Sequence, residues 1–280
     1  ADWRKDMQLS LMRKIIKDAE HGKKGVFCLL TERHGSIPRN AGASMWVYPD
    51  GSIEGSVGGG PMEHECINEA IDMLEKGDSV RLKDFNLGSG LNADSCPENS
   101  VCGGDGQVYF ETIEPEDEVF IFGAGHVGKA LSRFAYLCDF KVTVWDERTQ
   151  YANGENIPWA RTMSCPLDEL FDKSQHEVLF HEKSYVVIVT RSHLIDCEAM
   201  RLMAGRDVAY IGVIGSRGKM AFVDKQLMAA GIPEEYMGGM YRPVGLPLKS
   251  ETPAEVALCI MAEIVAVKNG ANVKLLRDAK

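Results

Sequence analysis

The chain has 280 residues, 45% of them hydrophobic, which suffices for two modest domains with packed cores. A formal net charge of −10 with no basic stripe argues against nucleic acid or an anionic membrane surface as a partner. The run from Val256 to Val267 is interrupted by Glu263 and is too short to span a bilayer. Eight cysteines without a Cys-x-x-Cys pair do not suggest a disulfide framework. Trp3-Arg4-Lys5-Asp6 opens an amphipathic run, so no secretory signal and a cytoplasmic location are expected.

Leu9, Met12, Ile16 and Ala19 recur at helical spacing and predict a helix over residues 5–21. Gly25 to Leu30 reads as a buried strand, and Gly35 to Gly42 as a loop. Ser44–Tyr48 and Ser52–Val57 read as short strands joined by the turn Pro49-Asp50-Gly51. Gly58-Gly59-Gly60-Pro61 leads into a helix over Met62–Glu75, since proline suits a first helical turn. Val80–Phe85 and Gln107–Thr112 are two further strands, separated by a loop holding Cys96 and Cys102. The acidic segment Ile113-Glu114-Pro115-Glu116-Asp117 marks a boundary between domains at 1–116 and 117–280.

Beyond that boundary strands and helices alternate. Strands are expected at Glu118–Phe122, Lys141–Asp146, Tyr185–Thr190 and Val208–Val213. Helices are expected at His126–Cys138, Asp196–Ala204, Lys219–Ala230 and Pro253–Asn269. Residues 151–182 carry no clear pattern. The fold class is therefore α/β: a C-terminal Rossmann-like, doubly wound parallel sheet plus a smaller N-terminal α+β domain.

The chemistry centres on Gly123-Ala124-Gly125-His126-Val127-Gly128, which follows an apolar strand and opens a helix. Gly123 allows a tight turn, Gly125 lets the backbone approach a pyrophosphate, and Gly128 lets helix and strand pack closely. The helix N-terminus offers free N–H groups to phosphate, and Asp146, ending the next strand, can accept a ribose hydroxyl. His126 can touch phosphate or simply sit on the surface of the first turn. Ligands of an open parallel sheet bind at the carboxyl ends of its strands. Two more segments fall there: Thr190-Arg191-Ser192-His193 with Asp196, and Gly215-Ser216-Arg217-Gly218-Lys219. Arg217 and Lys219 oppose a helix dipole; either a bound anion relieves the conflict or both side chains simply point into water. His193 is a catalytic or pterin-contacting candidate, or a polar lid and local partner of Asp196. Gly58, Gly59 and Gly60 can form an anion-binding concavity or a plain strand-to-helix turn. Cys102, beside Gly103-Gly104, is a candidate reactive thiol that could ligate a soft metal or accept sulfur; otherwise it is inert.

These pieces, taken in order, resemble the XdhC/CoxI family of accessory factors for xanthine dehydrogenase and related molybdenum hydroxylases. The matching segments include Gly35-Ser36-Ile37-Pro38-Arg39, Gly55 to Glu63, Cys102-Gly103-Gly104, Phe122 to Gly128, Asp146-Glu147-Arg148, Thr190 to His193 and Ile214 to Arg217. Pro243-Val244-Gly245-Leu246 and Thr252-Pro253-Ala254-Glu255 complete the set. The resemblance implies binding of the molybdenum cofactor, as molybdopterin or its cytosine dinucleotide, and delivery to an apo-hydroxylase. In some systems it also implies sulfuration supported by a cysteine desulfurase. Some relatives carry cysteine after the glycine triplet, where this chain has Pro61, so Cys102 is the remaining candidate for a sulfur role.

The same glycine loop and Asp146 leave two other functions open. One is an NAD(P)-dependent oxidoreductase with His193 moving a proton; the other is a nucleotide-sensing regulatory module. Self-association as a homodimer is expected.

Overall fold

The structure is a computed structural model that describes residues 3–35, 39–86, 104–172, 178–215 and 217–271. Contacts divide the chain into two units, Ala1–Pro115 and Glu116–Lys280.

In the first unit, helix α1 (Trp3–Glu20) precedes strands β1 (Gly25–Gly35), β2 (Ser44–Val47) and β3 (Ile53–Gly55). Helix α2 (Gly60–Lys76) and strands β4 (Val80–Asn86) and β5 (Gly104–Ile113) follow. The strands form one antiparallel sheet in the order β3-β2-β1-β5-β4. Alternation along β1 sends Val26, Cys28 and Leu30 to one face and Phe27 to the other. Against the first face α2 buries a helical stripe, Met62, Cys66, Ala70 and Met73. Against the second, α1 buries Leu11 and Ile15 beside Phe27 and Trp46. Asp18 pins α1 to the hairpin, accepting from Tyr48 Oη at 2.6 Å and Lys14 Nζ at 2.9 Å. Strand β1 runs further than its apolar pattern suggests. Exposed Thr31 to His34 lack that pattern, yet the pairing with β5 continues, past a bulge at Leu30/Glu32, to Gly35↔Gly104.

The second unit contains β6 (Glu118–Phe122), α3 (His126–Leu137), β7 (Lys141–Trp145), β8 (Arg161–Met163), β9 (Ser184–Ile188), α4 (His193–Met203), β10 (Tyr210–Val213), α5 (Arg217–Ala229), α6 (Glu234–Gly238) and α7 (Pro253–Lys268). The sheet is parallel, in the order β10-β9-β6-β7-β8. Leu131 and Ala135 of α3 and Ile260 and Ile264 of α7 cover one face. Ala199 and Met203 of α4 and Val223 and Leu227 of α5 cover the other. All residues of β9 are buried, as befits a strand covered on both sides.

The unpatterned stretch 151–182 supplies β8. Its approach from β7 is built of turns, tied by Asn153 and Asn156 to backbone, with Ile157 buried. Hence neither a helical nor an alternating period is visible there. Helix α4 begins at His193 rather than Asp196, because Ser192 serves as N-cap and accepts the Leu194 N–H at 3.3 Å.

After α6 the chain returns along the outer side of β10. Tyr241 N–H donates to Ile211 O at 2.9 Å, Val213 N–H to Tyr241 O at 3.0 Å, and Val244 N–H to Val213 O at 3.1 Å. Glu263 of α7 fixes this return by accepting from Tyr210 Oη at 2.5 Å and from the Gly245 N–H at 3.1 Å. Thr252-Pro253-Ala254-Glu255 starts α7 as a reciprocal cap: Thr252 Oγ1 accepts the Glu255 N–H, and the Glu255 carboxylate accepts the Thr252 N–H. Thr252→Ala is expected to cost about 1 kcal/mol. It should appear as a lower urea midpoint with an unchanged slope.

Candidate functional site

The strand order of the second unit reverses at β6. The chain moves outward through β7 and β8, then crosses to β9 on the other side. The crevice at the carboxyl ends of β6 and β9 is therefore the topological switch point, where doubly wound sheets take ligands.

Each motif glycine has a separate cause there. Gly123 has φ +114°, and a Cβ on it would lie 2.5 Å from Val189 O. A Cβ on Gly128 would lie 1.8 Å from Gly123 O, so α3 can rest on the strand end only without a side chain. A Cβ on Gly125 would meet no protein atom within 4 Å. That residue faces open space, as backbone approaching a ligand must. It is also the N-cap of α3, makes no side-chain cap, and no acid lies in the first turn. The N–H groups of that turn lack intrahelical acceptors and present the positive end of the dipole.

Asp146 is buried and already committed. One carboxylate oxygen accepts the Arg148 N–H at 3.0 Å and Nε at 2.8 Å. The other accepts the Ala124 N–H at 2.9 Å and Arg148 Nη2 at 2.8 Å. Four donors fill the acceptor capacity of a carboxylate. A ribose hydroxyl reaches it only if Arg148 turns away. Burial pushes the Asp146 pKa up; the Arg148 guanidinium and the two backbone N–H groups more than offset this and hold it below the ordinary carboxylate value. The Arg148 guanidinium also lies 4.1 Å over the Tyr151 ring. Sequence reasoning gave Arg148 no role, although an acid followed by arginine two positions later was the available signal.

Thr190 closes on its own helix. Its Oγ1 donates to Asp196 Oδ1 at 2.6 Å, and its N–H to the same oxygen at 3.3 Å. Thr190 is thus a partner of Asp196. His193 and His126 are exposed first-turn residues of α4 and α3. Gly215 lies just past the end of β10, on the same edge as the glycine loop. Ser216 and the side chain of Arg217 lie outside the described residues, as do Cys96 and Cys102. The backbone of Arg217 opens α5. Between these strands Arg191, after β9, forms an ion pair with Glu147, after β7. Nothing in the sequence signalled that pairing.

In the first unit the turn at Gly58, Gly59 and Gly60 is filled by the chain itself. The Gly59 N–H donates to Glu63 Oε2 at 3.2 Å, the Gly58 N–H to Ser56 Oγ at 3.2 Å, and Ser56 Oγ to Glu63 Oε2 at 2.5 Å. The Glu63 carboxylate stands where an external anion would sit. Among the described residues no group of three or more His, Cys, Asp or Glu side chains could hold a metal ion, and no helix is long and apolar enough to cross a membrane.

A family model described as the XdhC Rossmann domain matches residues 119–264, and one described as the XdhC and CoxI family matches residues 19–86. The chain is 31% identical over 263 residues to the uncharacterized protein YqeB of Escherichia coli, covering 94% of this chain and 47% of that protein. It is 27% identical over 161 residues to a probable xanthine dehydrogenase subunit from Bacillus subtilis, covering 58% and 46% respectively. A crystal structure described as a xanthine dehydrogenase from Bacillus halodurans aligns with a TM-score of 0.49 at 19% identity, covering 95% of this chain and 96% of that one. The chain spans about half the length of the curated relatives it matches.

Because Asp146 is held more acidic in the folded state than in the unfolded chain, it stabilises the fold above the unfolded value of about 3.9. That contribution is lost as pH falls through the lower folded value. Thermal midpoints recorded from neutral pH down to pH ~3 should fall less steeply for Asp146→Asn than for the wild type, since the variant has no carboxylate to protonate.

Proposed function

The chain belongs to the XdhC and CoxI family, and from that premise we propose that it is an accessory factor for a xanthine dehydrogenase-type molybdenum hydroxylase. In this reading it binds the molybdenum cofactor and delivers it to the apo-enzyme. The observation that carries the binding half is the open space at Gly125 beside the uncapped first turn of α3. A cofactor extended by a nucleotide has a pyrophosphate, and backbone N–H groups at a helix start suit it. The residues fit such a group: Gly125, His126, Val127 and Gly128 would face the phosphates, and Thr190 and His193 lie on the same edge as the glycine loop. When bound, the cofactor supplies the metal centre on which the client's redox chemistry runs. Molybdopterin holds its metal through its own sulfurs, so the chain is asked for phosphate and pterin contacts rather than a ligand cluster.

The protein's own part is positional. The α3 dipole and amides neutralise phosphate charge, and the close seat of Gly128 on Gly123 keeps those amides aimed at the crevice. Sulfuration supported by a cysteine desulfurase, with Cys102 as the sulfur contact, and a homodimeric state belong to the same proposal through the family resemblance. The filled acceptor set of Asp146 weighs against a simple NAD-dependent oxidoreductase, whose acid must take the ribose 2′-hydroxyl.

Equilibrium dialysis with molybdopterin, its cytosine dinucleotide and NADH tests this reading. The cytosine dinucleotide is expected to bind at micromolar protein, and Gly125→Val to weaken it by about tenfold or more, while the poorer N-cap costs the fold only about 1 kcal/mol. Retention of neither pterin ends the proposal. Tight NADH binding with turnover of a carbonyl would assign the oxidoreductase role instead.

A further inference from the structure

We infer that Arg191 is the phosphate-binding cation of this crevice and that Glu147 holds its guanidinium in place until an anionic ligand arrives; this rests on the nucleotide-binding reading above. The strand order supplies the geometry. Strands β9 and β7 flank β6 on either side. Their ends lie two strand spacings apart, roughly 10 Å. The Arg191–Glu147 ion pair therefore spans the end of β6, where the glycine loop emerges.

Both feet of this strap stand on that loop. A Cβ on Gly123 would strike Val189 O and approach Thr190 Cα to 3.1 Å, so the backbone just before Arg191 abuts the turn. On the other side the Ala124 N–H donates to Asp146, the residue just before Glu147. The pair is no buried brace: the side chains are 57% and 35% exposed. Solvent screens an exposed pair and leaves it little net strength, so it opens readily. The planar guanidinium matches phosphate oxygens in a two-pronged contact.

Charge balance gives the reason for such a device. The chain carries a formal net charge of −10, which opposes any anionic ligand. Arg148 is bound to Asp146 and neutralises it. Arg191 swinging from Glu147 onto a diphosphate would supply a cation beside the α3 amides. Glu147 competes with the ligand for the same guanidinium, so the two partners should act on affinity in opposite directions.

Isothermal titration calorimetry of the full chain tests this with cytidine diphosphate, NAD+ and molybdopterin cytosine dinucleotide as probes, and cytidine as the phosphate-free control. Arg191→Gln is expected to weaken the diphosphates about tenfold and to reduce the dependence of affinity on salt. Glu147→Gln is expected to tighten them about threefold by releasing the arginine. A pair that merely braces the loops would give the same sign for both variants. If the wild type binds a diphosphate and Arg191→Gln binds it equally well, or if both variants weaken it alike, the role assigned to Arg191 is wrong while the nucleotide reading stands. If the wild type takes none of the three diphosphates, both are overturned.

Discussion

Helix α3 lies against the end of β6 only because position 128 carries no side chain. A single methyl there would sit 1.8 Å from the Gly123 carbonyl oxygen, far inside van der Waals contact. That contact sets the height of the helix start over the sheet, and three consequences descend from it. The first-turn amides are held at the carboxyl end of β6. Gly125 is left facing open space. Ala124 is brought to where Asp146 can take its N–H. The geometry of this edge is thus set by close approach of backbone to backbone, where no flexible side chain can give way.

The fold was legible where burial on two faces left long apolar runs or a helical period. Strands β6, β7 and β9 and helices α3 and α7 carry such patterns, because each is covered by a layer with its own spacing. Legibility failed where backbone bonding, not burial, maintains an element. Residues Thr31 to His34 are exposed and polar, yet stay extended because β5 pairs with them. Strand β8 is three residues of a turn-rich stretch. The start of α4 is set by a serine hydroxyl on one amide, a signal that a strand-end reading of Thr190 to His193 overlooks.

The site divides in a similar way. The glycine loop could be read from sequence because Gly123 and Gly128 answer steric demands that only a missing Cβ satisfies, while Gly125 leaves open space. Asp146 could be located, but not its saturation by four donors, since that depends on Arg148 folding back from two positions away. The turn at Gly58 to Gly60 has the composition of an anion cradle, and the carboxylate filling it belongs to the first turn of the following helix. Glu147 and Arg191 are far apart in the chain and meet only because β6 lies between their strands. Pairings set by strand order have no local signature.

The return of the chain past Tyr241 has a bearing on how this unit behaves in a crowded solution. An open sheet normally leaves two rows of unpaired amides and carbonyls that invite foreign strands. Here one margin is sealed by the segment bonded to β10 and tied down by Glu263. The opposite margin ends in β8, whose three residues offer a recruiting strand very little to grip. The carboxyl edge of the sheet can stay open while its flanks discourage chain-to-chain stacking.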